Sequence, residues 1–223
     1  MSNKIPTLEE MLTAGVHFGH QKAHSHPKSK KFTHSTINKM QVINLEKTSD
    51  QLEEFIGGIK QLVKDNKNVL WVGTKIQARD YIVNIATKLN QNYIVKKWLP
   101  GILTNLDSFK NNLKIFNTMV EQSETDIYKD LSKKDKISFN KKLKFFSDLY
   151  EGIKNFSTLP DVVIIVDPSV ETNAYKEAQM LDIQTWGIGD TSSDPTGFEI
   201  FVPCNDDGKK SLKLIFDTIE KNI

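Results

Sequence analysis

The chain has one cysteine, one arginine and no long apolar run, and each scarcity excludes a class of protein. Cys204 has no partner for an internal disulfide and none for a cysteine-based zinc knuckle, so it reads as incidental to function. No stretch reaches the roughly 18–20 apolar residues of a membrane span, and the opening MSNKIPTLEE lacks the apolar centre of a secretory signal. A cytoplasmic chain with no membrane partner is expected. Arg79 is the only arginine among 30 basic residues. Lysine meets phosphate as a point charge and lacks the planar fork of arginine, so a polyanion would be held by its backbone more than read at its base edges. An AT-rich genome leaves the same lysine excess, and composition does not separate the two.

A hydrophobic content of 38% in 223 residues suffices for one sizeable domain, or one domain with an insertion. The formal net charge of +2 hides an asymmetry. Residues 17–48 hold six lysines against the single acid Glu46, a net +5, while residues 161–223 hold twelve acids against five lysines, a net −7. That polarity points to a basic edge for a polyanion on an otherwise acidic body. A solvated lysine surface accounts for the charge equally well.

TLEE at residues 7–10 has the capping-box spacing, with Gly15 as a helix stop. KMQVI is a short strand candidate. Leu52, Phe55, Ile56, Ile59, Leu62 and Val63 recur at helical spacing, as do Ala78, Tyr81, Ile82, Ile85, Ala86 and Leu89. NVLWVGTK is a continuous apolar run ending in Gly, the pattern of a buried parallel strand. DVVIIVD, IQTWGI and FEIFV are strand-like, and residues 171–181 and 207–219 helix-like. Strands alternating with helices predict an α/β fold, a mostly parallel sheet flanked by helices. The middle breaks the rhythm. Leu106, Phe109, Leu113, Phe116 and Val120 are spaced 3, 4, 3, 4, and Phe139, Leu143, Phe146, Tyr150 and Ile153 are spaced 4, 3, 4, 3. Two heptad-like helices joined by a polar stretch predict an inserted antiparallel coiled-coil helical hairpin at residues 105–156, protruding from a body of residues 1–104 and 157–223. Helices that merely cover the sheet would show the same spacing.

All five histidines, His17, His20, His24, His26 and His34, fall in GVHFGHQKAHSHPKSKKFTH at residues 15–34. The stretch has neither the cysteines of a zinc finger nor the HExxH of a zinc hydrolase. A site completed in space by Asp190 or Asp194 with His17 or His20 stays open as an alternative. VGTK at residues 72–75 sits where a strand turns into a helix, but lacks the P-loop pattern, and GIGDTSSDP lacks the third glycine of a dinucleotide fingerprint. Asp167, Asp190 and Asp194 fall at predicted strand ends, where ligands bind in such sheets and where caps and turns also need carboxylates. HPKSKK and VKKWLPG set lysines beside an imidazole or an indole in loops, so that phosphates are neutralised while a ring stacks on an unpaired base. RNA binding is the best of the three residue-level readings.

Read in order, LTAGVHFGHQ, INLEKT, VLWVGTK, WLPGILTN, LPDVVIIVD, EAQMLDI, GDTSSDP and VPCNDDGKKSLKLI resemble one family, the second protein of the small ribosomal subunit in its bacterial or organellar form. The resemblance spans residues 12–215 or so. It implies a flavodoxin-like parallel sheet carrying a coiled-coil hairpin, no catalytic activity and no cofactor. It also implies a place on the small subunit, with the subunit's RNA and neighbouring ribosomal proteins as partners, among them the subunit's first protein, and no small-molecule substrate. The chain departs from the pattern where KAHSHPK replaces arginines and a tryptophan before Asn-Pro-Lys, where Pro100 replaces a glycine, and where Cys204 replaces a glycine before NDD. RNA-binding candidates are Lys22, Lys28, Lys30 and Lys31, with Lys75, Lys96 and Lys97 secondary and His20 and Gln21 supplying hydrogen bonds. The hairpin and the acidic C-terminal surface are expected to face proteins. Two rivals remain: a regulator or enzyme holding a phosphorylated small molecule at residues 73–75 and 190–194, and a metal-binding module on the histidines.

Overall fold

The structure, a computed structural model, describes residues 4–223, the side chains of residues 126 and 127 excepted. Its centre is a five-stranded parallel sheet: β4 (Val69–Val72), β5 (Asn92–Ile94), β6 (Val162–Val166), β7 (Gln184–Gly189) and β8 (Ile200–Pro203), in the spatial order β5-β4-β6-β7-β8. Numbered by their own succession these strands lie 2-1-3-4-5, consistent with a flavodoxin-like sheet. β4 and β6 are buried at every residue because both faces are covered. Strand periodicity divides their side chains between two cores. Trp71, Val162, Ile164 and Val166 join Phe55, Ile56, Ile82, Ile85, Leu212 and Phe216 on the face covered by α2 (Leu45–Lys64), α3 (Ile76–Lys88) and α8 (Lys209–Asn222). Leu70, Val72, Val163 and Ile165 join Trp98, Ile102, Phe109, Tyr150 and Ala178 on the other face, where α7 (Thr172–Met180) also packs.

Before this sheet the chain builds a second one. α1 (Leu8–Thr13) has the expected capping box: the Thr7 N–H donates to the Glu10 carboxylate at 2.7 Å and the Glu10 N–H donates to the Thr7 hydroxyl at 3.2 Å. Gly15, at φ +75°, turns the chain out of it. β1 (Phe18–Gln21), β2 (Thr33–Ile37) and β3 (Met40–Ile43) then form an antiparallel sheet in the order β1-β3-β2, joined by a 3₁₀ turn over Pro27–Phe32. Only β3 is expected from the sequence. THSTI and FGHQ carry too little apolar alternation to read as strands.

Between β5 and β6 lie α4 (Leu106–Ser123), α5 (Asp126–Lys129) and α6 (Lys133–Tyr150). α4 and α6 pack on each other. Phe109, Leu113, Phe116 and Tyr150 are buried in the same core as Leu70 and Val163, so the root of the pair covers the sheet. Ile115, Val120, Ile137 and Phe145 of the same two helices are exposed. At its root the pair thus covers the sheet, as the second reading of this region expects.

The WLPGILTN loop that leads into α4 is tied down by one side chain from α7. The buried Glu177 carboxylate accepts from Trp98 Nε1 (2.9 Å), from the N–H groups of Gly101 (2.8 Å), Leu103 (3.1 Å) and Thr104 (3.2 Å), and from the Thr104 hydroxyl (3.1 Å). Burial opposes its charge, but these donors outweigh burial and hold its pKa below the ordinary glutamate value. Pro100, with no N–H to offer, is exposed, and Gly101 reaches the carboxylate from φ +93°.

Candidate nucleic-acid interface

The histidine segment lies across the C-terminal ends of β7 and β8, and the loop after β7 pins it there. The N–H of His20 donates to Thr191 Oγ1 at 2.9 Å, and the N–H of His26 donates to the Thr191 carbonyl at 2.8 Å. Ser25 Oγ lies 3.2 Å from Thr191 Oγ1 and donates to the Gln21 carbonyl at 3.0 Å. Gly19 is obligatory at this crossing, because a Cβ would stand 2.8 Å from Thr191 and 3.0 Å from the Gln41 carbonyl. Ser29 Oγ donates to the His26 carbonyl at 2.7 Å, and the His26 ring accepts from the Lys28 N–H at 3.4 Å, which closes the 3₁₀ turn.

This scaffold presents its lysines unequally. Lys22, Lys30 and Lys31 are exposed, and Lys31 Nζ sits 4.8 Å from the centre of the Phe32 ring. Lys28 is exposed but engaged, donating to Asp194 at 3.2 Å and to Thr196 Oγ1 at 2.9 Å. Gln21 is exposed beside them at the end of β1. Lys96 and Lys97 are exposed on the loop after β5, away from this segment in sequence, and Lys96 lies 3.9 Å from Asp148 of α6.

Lys75 occupies a different setting. Its ammonium is mostly buried and lies 2.8 Å from Asp167, 2.7 Å from Asp206 and 2.7 Å from Asp207. Burial disfavours the cation, yet the carboxylates outweigh burial and raise its pKa far above the ordinary lysine value. Its charge is matched inside the protein by these three carboxylates, unlike that of the exposed lysines of the histidine segment. The sequence around VGTK gives no sign of this, because the carboxylates come from the ends of β6 and β8.

His20 links the segment to the same cluster. Its Nδ1 bonds the buried Asp190 carboxylate, and its Nε2 lies 3.7 Å from Asp207. Burial works against the imidazolium, but the bond to Asp190 and the charges of Asp190, Asp207 and Asp206 outweigh burial and raise the His20 pKa. Asp206 is pushed up to about 7 by burial and by the charges of Asp190 and Asp167, against the pull of Lys75. His17 points elsewhere, its ring tilted at 40° to that of Phe18 with centroids 4.0 Å apart beside an apolar groove, and burial lowers its pKa. Among the described residues, no three His, Cys, Asp or Glu side chains are arranged to hold a metal ion.

In a 2-1-3-4-5 sheet, ligands enter the crevice at the switch point beyond the carboxyl ends of the first and third strands. Here those strands are β4 and β6, and the Lys75–Asp167 ion pair fills that place. The surrounding carboxylates of Asp190, Asp206 and Asp207 make it repel phosphate. This geometry tells against the rival reading of a phosphorylated small-molecule site at residues 73–75 and 190–194. Cys204 lies beneath the cluster, fully buried, its N–H donated to the Gly189 carbonyl at 2.9 Å.

Comparison with known families matches residues 11–223 to Ribosomal protein S2. Among similar proteins, the small ribosomal subunit protein uS2 of Chlamydia pneumoniae is 36% identical over 218 residues, covering 97% of this chain and 78% of the relative. The corresponding protein of Chlamydia caviae is 36% identical over 217 residues with the same coverage. Similarity of this extent, running through both sheets and the helices between them, shows that the chain belongs to the ribosomal protein S2 family.

Proposed function

We propose that the chain is a structural component of the small ribosomal subunit, held on the subunit's RNA by the lysines of its histidine segment, and not an enzyme. The observation that carries this reading is a contrast within one region. Lys22, Lys30 and Lys31 stand exposed on a segment fixed by Thr191 and Gly19, whereas Lys75 is enclosed by three carboxylates. The first set is available to phosphates and the second is not. His20 is held by Asp190 and acts through the position of the segment, while Gln21 and Lys28 stand at its rim and Lys96 and Lys97 are secondary contacts. The crowded carboxylates behind the segment repel RNA and leave the lysine edge as the face it approaches.

The finer reading follows the same lines. Residues 1–104 and 157–223 form a flavodoxin-like RNA-binding body, and residues 105–156 form a hairpin whose outer part is an antiparallel coiled coil. The partners are small-subunit RNA and neighbouring ribosomal proteins, including the subunit's first protein, and the place of work is the cytoplasmic ribosome. The test is a salt series of binding to small-subunit RNA. Replacing Lys22, Lys30 and Lys31 together by glutamine is expected to flatten the slope of log affinity against log salt by about 2, since each phosphate contact contributes roughly 0.7–0.9. An unchanged slope would remove these lysines from the interface.

A further inference from the structure

We infer that the groove at the root of the hairpin is a second phosphate-binding site, which grips the backbone of the same RNA at a distance in sequence from the histidine segment. This rests on the RNA-binding reading above and extends it to a surface that reading does not include. The groove has a volume of about 380 Å³ and lies between α4 and the segment that runs from α6 towards β6. Its floor is apolar, built from the buried Leu113 and Phe156. Its rim carries three lysines, Lys110 and Lys114 on α4 and Lys154 opposite them. No acidic side chain lines it. Acids enter only in the adjoining cavities, which Glu121 and Glu151 line.

The arrangement is fixed from both sides. Lys110 and Lys114 are four residues apart on one helix, so their side chains share a face and repel each other. Asn117, one turn on, donates its side-chain N–H to the Lys154 carbonyl at 3.3 Å and ties the third lysine's segment to that face. Among the described residues, none of the three ammonium groups has a carboxylate or hydrogen-bond partner within the chain, in contrast to Lys75, Lys28 and Lys96. Three uncompensated cations around a concave, acid-free surface select an anion. The groove shares Asn117, Lys154 and Asn155 with a neighbouring cavity that Glu121 and Glu151 also line, so the phosphates would be held between Lys110, Lys114 and Lys154 and not beyond them. This departs from the expectation that the hairpin faces proteins more than RNA; the mixed charges of residues 105–156 are sorted into this patch only by folding.

The test uses the full-length chain and purified small subunits lacking this protein, with affinity measured across a salt series. The set Lys110→Gln, Lys114→Gln and Lys154→Gln is expected to lower the slope by about 2, at roughly 0.7–0.9 per lost phosphate contact. A matched set on α6, Lys133→Gln, Lys134→Gln and Lys141→Gln, removes the same charge and is expected to keep the wild-type slope. The same three root positions changed to arginine should also keep it, which controls for misfolding of the glutamine set. An unchanged slope in the root set, or an equal loss in both glutamine sets, overturns the site. Titration with pyrophosphate is expected to show no saturable binding; saturation that the root set abolishes would reassign the groove to a small phosphate ligand and overturn the RNA assignment. Wild-type protein that fails to bind the subunits at all would instead sink the RNA-binding reading from which this one starts.

Discussion

Lys75 and Glu177 show how single buried charges organise this fold, and each makes a prediction of opposite pH dependence. Lys75→Met leaves Asp167, Asp206 and Asp207 facing one another without their cation. Breaking a buried ion pair on one side costs about 3–5 kcal/mol, and urea unfolding at neutral pH should show a loss of that order. The deficit should shrink as the pH falls, because protonated carboxyls no longer repel. In the wild type, Asp206 has a native pKa of about 7 against an ordinary 3.8. Its native state therefore binds a proton more readily than its unfolded state, so this contribution to stability is full below about pH 4 and is lost as the pH rises through about 7. Asp206→Asn should flatten the stability profile in that window; a profile as steep as wild type would contradict the assignment. Glu177 runs the other way. Its native pKa is depressed, so its contribution is present above the ordinary glutamate value and is lost as the pH falls through the native one. Glu177→Ala strands five donors around the Trp98 loop and should cost about 3 kcal/mol, since each buried group left unsatisfied costs about 1–3 kcal/mol where water does not replace the partner.

At the scale of elements, the hairpin makes the sharpest distinction. Leu113 and Phe116 belong to the core at its root, while Ile137 and Phe145 stand exposed on α6. Leu113→Ala should cost about 2–5 kcal/mol by opening a cavity, whereas Ile137→Ala should stay within about 0.5 kcal/mol. Equal losses at both positions would mean that the whole hairpin is buried against the body. The elements also differ in how far the sequence discloses them. β4 and β6 are legible because burial on both faces demands the unbroken runs VLWV and VVIIV. α1 is legible from its capping box, and α2, α3 and α8 from their apolar stripes. β1 and β2 are not, because they form a thin sheet whose stability comes from docking on the Thr191 loop, and their sequences carry no period to show it. β5, three residues at the sheet edge, is too short to leave a pattern.

For the whole molecule, the charge polarity visible in the sequence survives folding but changes meaning. The basic segment at residues 17–48 remains an exposed edge through Lys22, Lys30 and Lys31. Part of the acidity of residues 161–223 is drawn inside, around Lys75 and His20. Sequence spacing could not reveal this, since Lys75 meets Asp206 across 131 positions. Nor could it reveal the groove of Lys110, Lys114 and Lys154, which are brought together only when α4 and the end of α6 pack at the sheet. Two lysine surfaces, one on the histidine segment and one at the root of the hairpin, would orient the body on its RNA where one alone would let it swivel. The most direct measurement of the central claim is sedimentation of the tagged chain through a sucrose gradient at low and high salt, with each fraction probed for it. Co-migration with small subunits at low salt, weakening as salt rises, is the predicted result. A chain that stays at the top of the gradient while the other small-subunit proteins sediment normally, in cells where the tag leaves growth unimpaired, would contradict it.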